Sequence, residues 1–369
     1  FNNNPLEMAG TASARIVLMD FNGDGKLDIM VSDHGLWVDG QLPGKNDVYF
    51  LSNEGEGWRE SSATHITGTN VQRGKGLKNF SHSLTAGDID GDGDMDIVEI
   101  GTNKKSTGAG FTSIPQLVII RNQTVENKNA KFGNYFSYQN LYSTSVIILD
   151  SISDGDIKLV DFNNDGLLDI TVTGLDVKST AVTKFYLNQG GFGNFTLSSN
   201  NSIAQYSSSA ISWGDANGDG DMDLVISGLK NTGGSSTSIY MNNQGANGNK
   251  APTAPKNLRF IDQRQGRILL QWDEATDDHT IPSNLYYNLK LGTKPGLSDL
   301  RVIQVNETNG KLLTPNTSLI GTNQYYIELP PGVYFWSVQA VDGNYSSSSF
   351  APNKKIVLKY IDFDFNHMH

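Results

Sequence analysis

Through about residue 245 the chain alternates short apolar runs with acidic loops, and the same succession recurs four times. The runs RIVLM (15–19), SLTAG (83–87), IKLV (157–160) and AISWG (210–214) lead into DFNGDGKLD (20–28), DIDGDGDMD (88–96), DFNNDGLLD (161–169) and DANGDGDMD (215–223). Behind each loop come alternating or continuous aliphatics, such as Ile29, Val31, Ile170 and Val172. A further run then ends in asparagine: VYFLSN at Asn53, LVIIRN at Asn122, KFYLN at Asn188 and SIYMN at Asn242. Weaker runs follow in NYFSYQ (134–139) and NFTLS (194–198). Short β-branched runs bounded by Gly, Asn and Asp predict strands, and no stretch carries the 3.6-residue apolar period of a helix.

The predicted unit is strand, acidic loop, strand, variable loop, strand, turn and a weaker fourth strand. Loop starts at 20, 88, 161 and 215 space these units by 54 to 73 residues, the size of a four-stranded propeller blade. A sandwich of hairpins would use the same strands, but it does not explain one loop chemistry recurring at one place in every unit. After Asn249 the acidic loops stop. APTAPKNLRF is marked by prolines, and RILLQW, LYYNLKLG, YYIEL, GVYFWSVQAVD and KKIVLKYI then read as strands at sandwich spacing. Trp272 lies in an early strand where a buried tryptophan anchors a core, and Tyr334 stands at a turn-to-strand corner. The expected fold is all-β, with calcium-type propeller blades over 1–249, a linker at 250–256, an immunoglobulin-like sandwich over 257–361 and a tail at 362–369.

Composition narrows the function. The 369 residues carry a net charge of −11, which argues against nucleic acid as a partner. Fifteen aspartates sit in the four loops, so bound divalent cations would offset much of that charge. With no cysteine, disulfides, thiolate zinc sites and cysteine nucleophiles are all excluded. No apolar run is long enough to cross a membrane as a helix. FNNNPLEMAG lacks the basic and apolar regions of a signal peptide, which predicts that an exported chain is seen here as a mature form or a fragment.

Each loop places oxygen side chains at positions one, three, five and nine. These are Asp20, Asn22, Asp24 and Asp28; Asp88, Asp90, Asp92 and Asp96; Asp161, Asn163, Asp165 and Asp169; and Asp215, Asn217, Asp219 and Asp223. Position six is glycine throughout, which permits the sharp turn around an ion. Position seven, held by Lys26, Asp94, Leu167 or Asp221, can add a backbone carbonyl. With the ninth residue bidentate and one water, seven hard oxygens surround a site, which suits calcium; magnesium wants a tighter octahedron, and zinc wants histidine or thiolate. About four calcium ions are expected, with the second loop, richest in carboxylate, binding most tightly. That loop also matches the helix-flanked calcium pattern, because Glu99 stands at position twelve. The other copies carry Val31, Val172 and Ile226 there, and β-branched residues follow every loop, so Glu99 is read as a strand residue.

The signatures DxNGDGxxD and DxDGDGDxD, with the strand behind them and the asparagine-ended strand beyond, resemble FG-GAP/VCBS repeats over roughly residues 10–245. Such repeats form the calcium-bearing propellers of integrin alpha subunits and of many bacterial surface proteins, and the resemblance implies calcium at the residues just named. The C-terminal part, with YFWSVQAVD, is similar to fibronectin type III modules that trail such repeats in exported Bacteroidetes proteins. Family propellers have about seven blades. The resemblance therefore implies further blades, from an upstream segment or another chain, unless FNNNPLEMAG closes a small ring on SIYMN.

The resulting expectation is a non-catalytic, extracellular or cell-surface protein that uses a calcium-stapled scaffold for adhesion or for recognition of a glycan or a protein. A structural subunit of a surface or secretion assembly is the first alternative. A polysaccharide-degrading enzyme on a propeller scaffold is the second, although HExxH and GxSxG are both missing. Trp37, in the insert DHGLWVDGQLPGKND, is a candidate for stacking on a sugar ring, against packing over its own blade. Trp213, just before the fourth loop, is assigned to the core.

Overall fold

The computed structural model describes residues 15–19, 28–32, 48–53, 58–66, 79–92, 95–106, 111–122, 146–199, 202–217, 221–242, 250–263, 266–282, 285–301, 305, 319–343 and 345–359. All regular structure among them is β, apart from single bridges and turns. Four small antiparallel sheets come first. Strands β1 (Arg15–Met19), β2 (Asp28–Ser32), β3 (Val48–Asn53) and β4 (Trp58–Ile66) pair in chain order. So do β5 (Asn79–Gly87), β6 (Asp96–Ser106), β7 (Phe111–Ile120) and β8 (Val146–Asp150), and likewise β9 (Ile157–Val160), β10 (Asp169–Leu175), β11 (Ala181–Asn188) and β12 (Phe195–Leu197). The fourth sheet has three described strands, β13 (Tyr206–Gly214), β14 (Asp223–Lys230) and β15 (Ser235–Tyr240).

In all four sheets the acidic loop joins the first strand to the second, and the ninth loop residue opens the second strand. The registers are Met19↔Asp28, Gly87↔Asp96, Val160↔Asp169 and Gly214↔Asp223. One expectation needs correcting. The fourth strand of the second sheet is the VIILD segment of β8, paired with Leu117–Ile120, whereas NYFSYQ lies outside the described residues.

The period of two along each strand decides which neighbour a sheet meets. On the third sheet, Leu159 and Tyr186 turn toward the second sheet, joining Ile89, Val98, Ile100, Leu117 and Ile119. Their chain neighbours Val160 and Phe185 turn the other way, toward Tyr206, Ile211, Trp213, Leu224 and Ile226 of the fourth. Trp213 is a core residue, as expected, stacked on Phe162 at 5.8 Å. Packing runs from sheet to sheet in chain order, with β1 on β5, β5 on β9 and β13 on β9 and β10. Each fully buried aliphatic contributes about 1.5–3 kcal/mol, so these two clusters hold the repeats together.

The C-terminal part forms two three-stranded sheets. One is β16 (Lys256–Asp262), β17 (Arg267–Asp273) and β19 (Gln324–Glu328); the other is β18 (Tyr286–Gly292), β20 (Gly332–Val341) and β21 (Lys354–Leu358). Between them Trp272 and Trp336, both fully buried, lie 6.2 Å apart, with Tyr287 edge-on to Trp272 at 5.3 Å. Tyr334 turns its hydroxyl back to donate to the Pro330 carbonyl at 2.7 Å, the corner anticipated from the sequence.

Candidate metal centre

The acidic loops are fastened by their own first and last aspartates. Asp88 Oδ1 accepts the N–H groups of Gly91 (2.8 Å) and Asp92 (3.2 Å), and Asp161 accepts those of Asp165 (3.1 Å) and Gly166 (2.7 Å). The ninth residue binds two elements at once. Asp96 accepts from Ile89 N and from Asn122 N, and Asp223 accepts from Ala216 N and from Asn242 N, one donor on each carboxylate oxygen. Asp169 takes the Asn188 N–H on Oδ1 at 2.8 Å, while its Oδ2 is buried without a hydrogen-bond partner. These bonds leave each Asp96 oxygen a further lone pair for the bidentate role expected of it. Each of its oxygens already serves an N–H, so the residue braces the loop to the asparagine-ended strand as well as facing the site.

The second loop gathers its charge. Ligand oxygens of Asp88, Asp90 and Asp96 all lie within 4.8 Å of one another, the one such group among the described residues. Asp90 is 3% exposed at its side chain, and neither of its oxygens has a hydrogen-bond partner. A buried carboxylate left this way costs several kcal/mol unless a cation compensates it. Part of the compensation comes from Arg121, a residue that counting loop carboxylates did not identify. Its Nε lies 2.6 Å from Asp90 Oδ2 and its Nη2 3.1 Å from Asp92 Oδ2, while its guanidinium sits 5.7 Å over the Phe192 ring of the third sheet. The only hint in the sequence was its place beside the asparagine in LVIIRN.

The third loop is arranged differently. Asn163 Nδ2 donates to Asp165 Oδ2 at the exposed rim, and Asp165 Oδ1 accepts from Leu167 N, so these two residues satisfy each other and the turn. Asp161 and Asp169 lie beneath, both buried. Burial pushes Asp161 up to about 6 and Asp169 up to about 8, with neighbouring loop carboxylates adding to both. Asp169 then holds its proton at neutral pH and Asp161 in mildly acidic solution, unless a cation takes their place.

The asparagines join one repeat to the next. Asn188 Nδ2 donates to the Ile89 carbonyl of the second loop at 2.8 Å, and Asn242 Nδ2 donates to the Phe162 carbonyl of the third at 2.8 Å. In both cases the acceptor is the second residue of the preceding loop. Asn164, at a left-handed φ of 60°, adds a bond to Asp221 Oδ1 of the fourth loop at 2.9 Å. The recurring asparagine was legible in the sequence; its partner was not.

Of the remaining predicted positions, Asp215 and Asn217 are exposed, and Asp221 is buried against Asn164. Glu99 is buried in β6, opposite Leu84 and Val118, away from the loop. Asp20, Asn22, Asp24, Lys26, Trp37, Asp94, Asp219 and the side chain of Asp28 lie outside the described residues. The second loop can therefore hold a hard cation on three buried carboxylates, and the buried aspartates of the third are poised for the same chemistry.

A protein family described as FG-GAP-like repeat matches residues 20–99 and 161–226, stretches that contain all four loops. No curated protein matches the chain. Among solved structures, the chain is similar to the FN1–FN3 domains of chicken CNTN1, at 9% identity over 76% of this chain and 99% of that one, with a TM-score of 0.21. It is also similar to the extracellular domain of a protein described as a one-component system of B. thetaiotaomicron, at 10% identity over 93% of this chain and 36% of that one, with a TM-score of 0.26. Domains A168–A170 of titin match at 11% identity over 94% of this chain and 99% of that one, with a TM-score of 0.22.

Proposed function

We propose that the chain is a non-catalytic, calcium-binding repeat scaffold that works outside the cell in adhesion or in recognition of a glycan or a protein. The observation that carries this reading is the convergence of Asp88, Asp90 and Asp96, with both oxygens of Asp90 buried and only Oδ2 paired, to Arg121. Calcium supplies positive charge and six to eight flexible oxygen contacts. The chain supplies the rest. Asp88 and Asp161 shape the turns, Asp96, Asp169 and Asp223 tie each turn to the third strand of its sheet, and Asn188 and Asn242 pass the tie to the neighbouring repeat. The donors are oxygen only, which favours calcium over zinc, and calcium accepts the irregular geometry of such loops where magnesium demands a near-ideal octahedron. The FG-GAP-like repeats support an extracellular setting. So does ion supply, since sites as weak as about 10⁻⁴–10⁻³ M are typical of extracellular modules.

Calorimetry with calcium on chelated protein, paired with thermal melts, tests this. Saturable binding of several ions and a melt that rises with calcium, unrestored by equimolar magnesium, are expected. An unchanged melting temperature and circular dichroism spectrum after exhaustive chelation refute the reading. Binding to a glycan array or to cell-surface protein, lost on chelation, tests the recognition role.

A further inference from the structure

The sandwich packs directly onto the acidic loops. A Cβ placed on Gly166, at the sixth position of the third loop, would collide with the His279 carbonyl and stand 2.8 Å from Thr280 Cα. One placed on Gly343, in the turn after β20, would come 3.1 Å from Asp161 Cβ and 3.5 Å from Asp161 Oδ2. Gly343 N and Thr280 Oγ1 approach to 3.5 Å, which ties the two covering turns together. Beside them Tyr345 packs against the cluster of Val160, Phe185 and Trp213. At the second loop, a Cβ on Gly87 would lie 3.6 Å from Tyr286 Oη, and Tyr286 makes a backbone hydrogen bond with Asp88. Met95 of the same loop reaches Gly321 of the sandwich, whose added Cβ would stand 2.9 Å from Met95 Cε.

At the first loop position the cover coincides with enclosure: Asp161 is 2% exposed, whereas its counterpart Asp215 in the fourth loop is exposed; the ninth residues Asp169 and Asp223 are both at 0%. A carboxylate beneath such a cover reaches water only if the cover lifts. With a cation beneath it, the cover instead excludes the water that would compete for the ion. Whatever stabilises one arrangement stabilises the other by the same factor.

We propose that the sandwich is a cation-dependent lid on the second and third acidic loops, so that ion occupancy there and docking of the sandwich are thermodynamically linked. This rests on the calcium reading above. With calcium the repeats and the sandwich form one rigid body. Without it the lid releases, and the chain hinges at the proline-marked segment near 250–256. Ions under the lid bind more tightly and leave more slowly when it is docked than when it is released.

The chain has no cysteine, so Lys178→Cys on the repeats and Lys294→Cys on the sandwich, both at exposed positions, give a unique pair of spin-label sites in the full chain. Pulsed dipolar spectroscopy with calcium is expected to show one narrow distance, which broadens on chelation. Gly343 lies outside the left-handed region, so Gly343→Leu is tolerated by the backbone while its side chain wedges against Asp161. That variant is expected to broaden the distance even in calcium and to weaken part of the calorimetric isotherm by about 5-fold or more, the usual size of such couplings. Asp215→Asn should alter only fourth-loop binding and leave the distance narrow. Calcium binding that leaves the label distance unmoved by chelation overturns the lid alone. So does Gly343→Leu broadening the distance with an unaltered isotherm. Absence of any calcium binding overturns the calcium reading, and the lid with it.

Discussion

Asn188→Ala probes the joint between two repeats without touching a loop carboxylate. The Asn188 side chain is buried, and its amide donates to the Ile89 carbonyl at 2.8 Å and to the Leu168 carbonyl at 3.1 Å, while its Oδ1 accepts from Gly190 N at 3.0 Å. Alanine removes all three bonds and leaves the Asn188 N–H on Asp169 intact. Gly190 is partly exposed and can turn to water, whereas Ile89 is buried and Leu168 nearly so. A buried acceptor stripped of its donor costs about 1–3 kcal/mol, so two of them give a loss of about 2–6 kcal/mol. At about 2–4 °C per kcal/mol for a unit of this size, the melting transition of the repeats should fall by about 4–24 °C. Asn194→Ala is the control, since Asn194 is exposed and its side chain makes one long bond to Gly190 O at 3.3 Å; its effect should stay within about 0.5 kcal/mol. Melts of both variants in saturating calcium, followed by near-ultraviolet circular dichroism, make the comparison. Equal shifts for the two would refute the argument that the asparagine locks one repeat to the next.

Two further outcomes follow from the charges. Burial raises Asp161 to about 6 and Asp169 to about 8, against 3.8 for an ordinary aspartate, so between about pH 4 and 8 these two groups hold more protons in the ion-free native chain than in the unfolded one. Stability of chelated protein must then fall as pH rises through that window, by up to about 1.4 kcal/mol per unit for each group, and saturating calcium should abolish the trend; chelated melts at pH 5 and pH 8 that agree would contradict it. Arg121→Gln removes a cation lying 2.6 Å from Asp90 and 3.1 Å from Asp92. It should lower the melting temperature of chelated protein yet raise calcium affinity at the second loop about tenfold, because a unit positive charge beside a divalent ion would repel it by about 1–2 kcal/mol even at the dielectric of water. A weaker calcium isotherm for this variant would show that Arg121 holds the loop open for the ion instead of competing with it.

The same arginine shows where reading by composition stops. Carboxylate number ranks the second loop first for calcium, but Arg121, placed there by β7, offsets part of that excess charge. The fourth strand of the second sheet was missed for a related reason. NYFSYQ was expected as that strand, whereas VIILD, which no loop or asparagine marks, is the segment paired with Leu117–Ile120. By contrast Trp213, Trp272 and Tyr334 were legible, because an aromatic inside a strand or at a strand corner has few ways to be satisfied.

What the letters alone determined is short-range: strands from a two-residue apolar period, sharp loops from glycine among aspartates, and hard oxygen donors at fixed positions within nine residues. Those features follow from backbone sterics and side-chain chemistry over a few residues, and they recur wherever the letters recur. Tertiary structure alone decided which aspartates are buried, that Asn122 N meets Asp96 across 26 positions, and that Asn188 meets Ile89 across 99. It also decided that two turns of the sandwich close over the third loop. Burial and long-range pairing depend on which surfaces the packed sheets bring together, and no local pattern of residues encodes that.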